Sequence, residues 1–260
     1  MNIVIPIADS GKLFESQGYP FAKPVTEIDG KPLVEHAFDC LKDISDARFI
    51  FVIRKEDDLR FHLKEMLHLL DPNAVVIQAT GATAGAACTV LLAVEYIANE
   101  EELIIANGDQ VLEFDVYNEI QSFRDRNLDG ATIVFDSVHP RWSFVKTDAD
   151  GIVVEAAEKR PVSRNATAGF YYYSKGRYFV EAAQNMIRKN AGVNGAFFVC
   201  PAFNEMILDQ KTVGISRIDR SQYVSLATPQ AIEEYEQALA TRRLKAEYVQ
   251  NPAITEEHAI

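Results

Sequence analysis

The sequence predicts an α/β fold, a mixed but mostly parallel sheet flanked by helices, and three observations predict it. Almost wholly apolar runs such as NIVIPIA (2–8) and RFIFVIR (48–54) have the make-up of strands buried on both faces. Up to about residue 137 such runs alternate with stretches of helical periodicity, the pattern of strand–helix–strand crossovers. One run, IIANGDQ, stops on small residues and then presents Asp109, as open α/β sheets do at their ligand edge. A solvated turn aspartate is the rival explanation.

Taken in order, strand 2–8 leads into DSGKLFESQGYPFAKP (9–24), a polar loop with Gly11 and Gly18 that is long for a passive connection. A short strand, a turn at Asp29-Gly30 and a helix follow. The helix has its apolar stripe at Leu33, Val34, Ala37, Phe38 and Leu41, and Pro32 suits its first turn. After strand 48–54 a helix is expected over 56–70, with Leu59, Leu63, Met66, Leu67 and Leu70 inward and Pro72 closing it. AVVIQA (74–79) reads as a strand, GATAG opens a helix running to 97, and ELIIAN is the strand before Asp109. A helix near 115–126, a turn at Asp129-Gly130 and a strand at 131–137 complete a first lobe, 1–137.

The pattern then changes. A hairpin (143–159) turns at Asp148 to Gly151, and AGFYYYSK is an aromatic strand. An amphipathic helix (178–190) follows, and FFVCPAFNEMILD and TVGISRI complete a mixed second lobe, 138–227. A terminal helix and tail occupy 228–260, with Thr228 as N-cap, Pro229 at the first helical position, and the last ten residues expected to fray.

Composition narrows the function. The 260 residues carry a net charge of −12 without a Lys/Arg-rich block, which argues against nucleic acid as a partner. An acidic protein that handles phosphates must gather a few cations in one cleft, so single lysines beside glycines are informative. Cys40, Cys88 and Cys200 are odd in number and lack CxxC spacing, which argues against a zinc or disulfide framework, and they read as buried reduced thiols. The chain runs from MNIVIPI straight into a strand, and no apolar stretch reaches membrane-spanning length. A soluble, cytoplasmic protein is expected. The charged terminal helix either lies on the protein or meets a second subunit, so a homo-oligomer stays open.

Four stretches share one chemistry. The Gly11 loop follows a buried strand, where backbone N–H groups meet phosphates. Lys23-Pro24 adds a cation on a stiffened backbone. GATAG offers N–H donors and room for a flat base, although helix packing also explains its glycines. EKRP (158–161) sets an acid beside two cations, with a solvated ionic cluster as the alternative. In this order the stretches resemble the bacterial nucleotidylyltransferases that join a nucleoside triphosphate to a sugar phosphate or small phosphorylated alcohol and release pyrophosphate. NIVIPIADSGKLFESQGYPFAKPVTEIDGKPLVEHA is similar to that family's opening, QATGATAGAACTVLLA to its base-recognition turn, and ANGDQ to its metal-aspartate motif. HPRWSFVKTDADGIVVEAAEKRPVS with NATAGFYYY is similar to its substrate-side lobe, and the likeness runs over residues 2 to 240.

The resemblance implies a Rossmann-like sheet of the glycosyltransferase-A, nucleotide-diphospho-sugar transferase type. It implies that Ala8, Asp9, Gly11 and Lys12 line the nucleotide loop, and that Gln78, Gly81 and Gly85 meet base and ribose. Lys23 would neutralise the α-phosphate, Asp109 would hold Mg²⁺, and Lys159 would steer the attacking phosphate. Glu158, Gly169 and Asn194 would meet the acceptor. The partners implied are a nucleoside triphosphate and a phosphorylated small molecule, with no membrane.

This chain also departs from the family pattern. Asp9 stands for a loop glycine, Leu13 for the arginine that clamps pyrophosphate, and Ala22 for a proline. Lys12 is a poor stand-in for a guanidinium fork. Ala196 replaces an acceptor-site acid, and SLATP (225–229) leaves the second metal ligand unidentified, with Asp219 nearby in the chain. Three readings follow: an active Mg²⁺-dependent nucleotidyltransferase, CTP or UTP favoured; a relative that binds nucleotide without turnover; or a glycosyltransferase. The third normally wants a D-x-D pair, whereas Gln110 and Val111 follow Asp109.

Overall fold

The apolar runs become the middle of one sheet. The computed structural model describes residues 1–9 and 11–250, the last five of these by backbone alone. From the N-terminus come β1 (Asn2–Ile7), α1 (Lys12–Ser16), a 3-10 turn at Lys23–Val25, β2 (Glu27–Ile28), β3 (Lys31–Pro32) and α2 (Leu33–Asp39). Next are β4 (Arg48–Arg54), α3 (Lys55–Phe61), α4 (Leu63–Leu70), β5 (Val75–Ala79), α5 (Ala86–Leu91) and α6 (Val94–Ile97). β6 (Leu103–Ala106), β7 (Gln110–Leu112), α7 (Val116–Asp125) and β8 (Gly130–Asp136) follow. The second half contains β9 (Ser143–Thr147), β10 (Val153–Glu158), β11 (Asn165–Tyr173), α8 (Gly176–Arg188), α9 (Ala202–Leu208) and β12 (Val213–Arg217). A 3-10 turn (Arg220–Gln222), β13 (Tyr223–Ser225) and α10 (Pro229–Gln250) end it.

Nine strands form the main sheet, in the order β10-β9-β11-β6-β1-β4-β5, with β8 paired to β11 and β12. β6, β1, β4 and β5 are parallel neighbours, and such strands require crossovers, which the helices supply. β11 runs antiparallel to both β6 and β8 and joins the two halves of the sheet. Side chains alternate across each strand. Ile3, Ile5 and Ile7 therefore enter one core with Phe38 of α2, Leu67 of α4 and Phe123 of α7. Val4 enters the opposite core with Val90 of α5, Phe179 of α8 and Phe203 of α9. Helices thus cover both faces, as the sequence leads one to expect.

Several local expectations are corrected. The helix expected over 56–70 is broken at His62, whose φ of 53° is left-handed. The break turns α3 so that Asp57 faces inward, while Leu59, expected inside, is 72% exposed. Leu63 and Leu67 are buried as expected, and Met66 and Leu70 are half-buried. The helix expected over 81–97 is two, α5 and α6, beginning only at Ala86. The loop after β1 is not uniformly polar: Phe14 of α1 is buried against Leu226, Ile232 and Tyr235, which seats α10 on the N-terminal segment. Thr228 caps α10 by accepting the Ala231 N–H at 3.2 Å. The three cysteines are free, but only Cys200 is buried; Cys40 and Cys88 are half-buried. Among the described residues no helix is long and apolar enough to cross a membrane. The ten residues expected to fray lie outside the described residues.

Candidate functional site

The turn carrying Asp109 is clasped from two sides. On one side the Gly169 carbonyl of β11 accepts the Asn107 N–H at 2.9 Å and the Gln110 side-chain amide at 3.0 Å. On the other, β13 pairs with β7, setting Ser225 opposite Gln110, and the Leu226 N–H donates to the Asp109 carbonyl at 2.7 Å. β11 bulges between Thr167 and Tyr171, and Gly169 lies in the bulge with φ 59°. A Cβ there would come within 2.4 Å of the Asn107 and Gln110 side chains, so only glycine allows this approach.

Lys23 meets this turn from the opposite wall. Its 3-10 turn buries the side chain, whose Nζ lies 3.0 Å from Asp109 Oδ2 and also contacts the Asp9 carboxylate. Asp9 Oδ1 in turn accepts the Gly11 N–H at 2.8 Å. Burial alone would lower the Lys23 pKa; the Asp109 and Asp9 carboxylates outweigh it and hold the ammonium above the ordinary lysine range.

The three residues open onto a cavity of about 610 Å³. Ala8, Asn107 and Ser225 line it beside them, Thr83, Gly85 and Thr89 form another wall, and Ser143, Glu158 and Gly169 face it from the second half of the chain. Gly85 is pressed onto the 196–198 segment: with φ 104°, a Cβ would meet the Phe197 carbonyl at 2.4 Å. The Phe197 N–H donates to the Ala84 carbonyl at 2.7 Å, a contact that brings Ala196 and Phe198 into the wall.

The residues singled out from sequence divide accordingly. Ala8, Asp9, Lys23, Gly85, Asp109, Glu158 and Gly169 share the cavity. Lys159 does not line it, but its Nζ lies 5.1 Å from the centroid of the Phe198 ring, which does. Gly11 adjoins the wall through its bond to Asp9, with Lys12 beside it at the start of α1. Gln78 lies on β5, at an edge of the sheet, exposed and bonded to Asp58, and neither it nor Gly81 nor Asn194 lines the cavity. Leu13 is largely exposed on α1. Asp219 caps the Arg220–Gln222 turn.

Sequence reasoning missed Asn107, Arg141, Trp142, Ser143, Tyr223 and Ser225, all of which line the cavity. Two signals were present. Trp142 is the chain's one tryptophan, and Ser225 opens the SLATP turn in which a metal ligand was sought.

Glu158 is buried and accepts a hydrogen bond from the Ser143 hydroxyl. Burial pushes its carboxyl pKa up, against the pull of Ser143 and Lys159. A carboxyl with a raised folded-state pKa holds its proton more tightly folded than unfolded, so stability falls as pH rises through that window. Glu158→Gln is therefore expected to raise the melting temperature at neutral pH. The gain should shrink as pH falls toward the ordinary carboxyl value of 4.5, where Glu158 is itself protonated. A gain that stays constant across a pH series of thermal melts would exclude an ionised, buried Glu158 as its source.

The oxygens around Asp109 suit a hard divalent cation: two carboxylates already share one cation, the Lys23 ammonium, and the Ser225 side chain is on the same wall. Among the described residues no group of three or more His, Cys, Asp or Glu is placed to hold a metal. A cation held here would complete its shell with water and ligand phosphates, the usual habit of Mg²⁺.

Comparison with known proteins agrees with this architecture. The family model described as nucleotidyl transferase matches residues 19–211. The UTP–glucose-1-phosphate uridylyltransferase AglF of Haloferax volcanii is 22% identical over 95% of this chain and 99% of its own. The nucleoside-diphosphate-sugar pyrophosphorylase of Vibrio cholerae RC9 aligns with a TM-score of 0.80 at 22% identity, over 91% of this chain and 100% of that one. The inositol-1-phosphate CTP transferase of T. maritima aligns with a TM-score of 0.69 at 12% identity, over 88% and 90% of the two chains. The two structural likenesses establish a common fold.

Proposed function

This chain belongs to the nucleotidyl transferase family, and we propose that it joins a nucleoside triphosphate, CTP or UTP by preference, to a sugar phosphate or small phosphorylated alcohol and releases pyrophosphate. The observation that carries this reading is the Lys23–Asp109 pair, 3.0 Å apart, on the wall of a cavity of about 610 Å³. That volume is in the range of small-ligand sites. The relatives act on substrates of this class by name: glucose 1-phosphate with UTP in one, inositol 1-phosphate with CTP in another.

In the proposed reaction an acceptor phosphate oxygen, ionised at neutral pH, bonds to the α-phosphorus of the nucleotide. The bond from that phosphorus to the α–β bridging oxygen breaks, and its electron pair leaves with pyrophosphate. No general base is needed, so catalysis is alignment and charge neutralisation. Lys23 faces the α-phosphate, with Ala8, Asp9, Gly11 and Lys12 along the triphosphate and Gly85 toward base and ribose, while Gln78 and Gly81, which do not line the cavity, take no part. Glu158 and Gly169 contact the acceptor, Asn194 lying outside the cavity, and Lys159 guides the acceptor's phosphate. Divalent metal use is general in this family; here Asp109 would hold Mg²⁺. Bound there, the ion offsets charge growing on the phosphate oxygens. Substrates of this kind support a cytoplasmic protein.

Pyrophosphate release from a panel of nucleoside triphosphates, with Mg²⁺ and mixed sugar phosphates, tests the reading. Thermal stabilisation by nucleotide without turnover would favour a binding relative instead. The Asp9 contact with Lys23 supports that second reading. Consumption of a nucleotide sugar without pyrophosphate would indicate a glycosyltransferase.

Asp9 has its own expected effect. Its carboxylate takes up the Gly11 N–H and the Lys23 ammonium, two groups an incoming phosphate would use. Asp9→Gly, alone or with Leu13→Arg, is expected to tighten nucleotide binding about tenfold or more. Calorimetric Kd values equal to wild type in both variants would mean that this loop does not face phosphates.

A further inference from the structure

Arg141 and Trp142 lie within the HPRWSFVK stretch but have been given no role, yet both line the cavity. They leave the loop between β8 and β9, where the His139 carbonyl accepts the Trp142 N–H at 3.3 Å and His139 Nδ1 accepts the Arg141 N–H at 3.2 Å. These bonds turn the loop toward the cavity. The Trp142 ring is fixed edge-on against Phe135 at 5.3 Å and against Tyr223 at 5.6 Å. The Arg141 guanidinium lies over that ring, 4.2 Å from its centroid.

The charge around Arg141 sets it apart. Neighbouring arginines are neutralised: Arg160 by Glu155 at 2.7 Å and Arg164 by Asp136 at 2.5 Å. Arg220, on the far side of the aromatic cluster, donates to the Tyr223 carbonyl. Among the described residues neither Arg141 nor Lys159 forms a salt bridge, Lys159 acting on the Glu158 carboxylate only at longer range, in a protein of net charge −12. The two cations emerge side by side. Ser143 pairs with Glu158 at the open end of the β9–β10 hairpin, and the Lys159 N–H donates to the Trp142 carbonyl at 3.0 Å. Each cation rests on an aromatic ring, Arg141 on Trp142 and Lys159 on Phe198. Such stacking holds a cation in place without neutralising it.

We propose that Arg141 joins Lys159 in a subsite for the acceptor's phosphate, and that the acceptor is a phosphate monoester whose terminal oxygens the guanidinium fork engages in bidentate fashion. A planar fork matches a phosphate in a way an ammonium does not. The position also fits the reaction, because Arg141, Tyr223 and Asp109 line the same cavity and the Trp142 ring beneath Arg141 packs against Tyr223. An anion on Arg141 therefore shares the cavity with Asp109. This subsite deepens the proposed function and rests on it.

Trp142, the sole tryptophan, makes the subsite directly observable by fluorescence. Wild type, Arg141→Ala and Arg141→Lys are titrated with glucose 1-phosphate, inorganic phosphate and, as the uncharged control, glucose. Calorimetry gives the same constants independently of the altered ring environment, and UTP with Mg²⁺ is titrated in parallel. Expected are a saturable response to both anions and none to glucose. Arg141→Ala should bind the anions about tenfold or more weakly, Arg141→Lys should fall between, and UTP binding should be unchanged. Arg141 is exposed, so thermal melts of the variants should match wild type.

Equal anion affinity in wild type and Arg141→Ala overturns the subsite, as does failure of both anions to bind wild type. Anion binding that needs Arg141, in a protein that releases no pyrophosphate, keeps the subsite and removes the proposed reaction. Pyrophosphate release with an acceptor KM indifferent to Arg141→Ala does the reverse.

Discussion

Asp109→Asn is expected to lower the rate of pyrophosphate release by about 10³-fold, the scale on which phosphoryl chemistry depends on a single charge-stabilising group. The change keeps the shape of the side chain and removes its charge. The turn should survive, because the Leu226 N–H bonds to the Asp109 carbonyl and not to its carboxylate. Lys23 would keep Asp9 as its remaining carboxylate partner. A folded protein that loses turnover, and with it the dependence on Mg²⁺ concentration, is the expected outcome. A rate within tenfold of wild type would show that another group does this work.

Gly169→Ala should be strongly destabilising for so conservative a change, at about 2–4 kcal/mol. Part of that is the cost of a left-handed backbone with a Cβ. The rest is overlap with Asn107 and Gln110, whose side chains have little room to retreat: Gln110 is buried and its amide already donates to the Gly169 carbonyl. Relief would have to come from shifting the turn that carries Asp109, so pyrophosphate release should fall even where the variant remains folded. Urea unfolding together with initial rates measures both effects. A stability loss below about 0.5 kcal/mol would mean that the bulge accommodates the methyl group by moving.

The central strands were legible because burial on both faces leaves an unbroken apolar run, and Ile3, Val4 and Ile5 are fully enclosed. Helix continuity was not. Nothing in DLRFHLKEML announces that His62 adopts a left-handed conformation, and that one residue takes Leu59 out of the core. The Lys23–Asp109 pairing joins residues 86 positions apart and came within reach through family resemblance alone. Asp9 was legible as a departure, but its grip on Lys23 depends on the loop after β1 folding back, which residue types do not encode. Arg141 and Trp142 escaped notice because loop residues carry no periodicity; their meaning lies in the ring and the missing counter-ion around them.

β13 also bears on the order in which the molecule assembles. The strands of the parallel core are complete by Ala106, yet the neighbouring turn at Asp109 acquires its Leu226 hydrogen bond only when a segment more than a hundred residues later arrives. Closing so long a loop is slow compared with local pairing. During synthesis the sheet can therefore exist before the reactive turn is held, and ligand affinity should be among the last properties the nascent chain acquires.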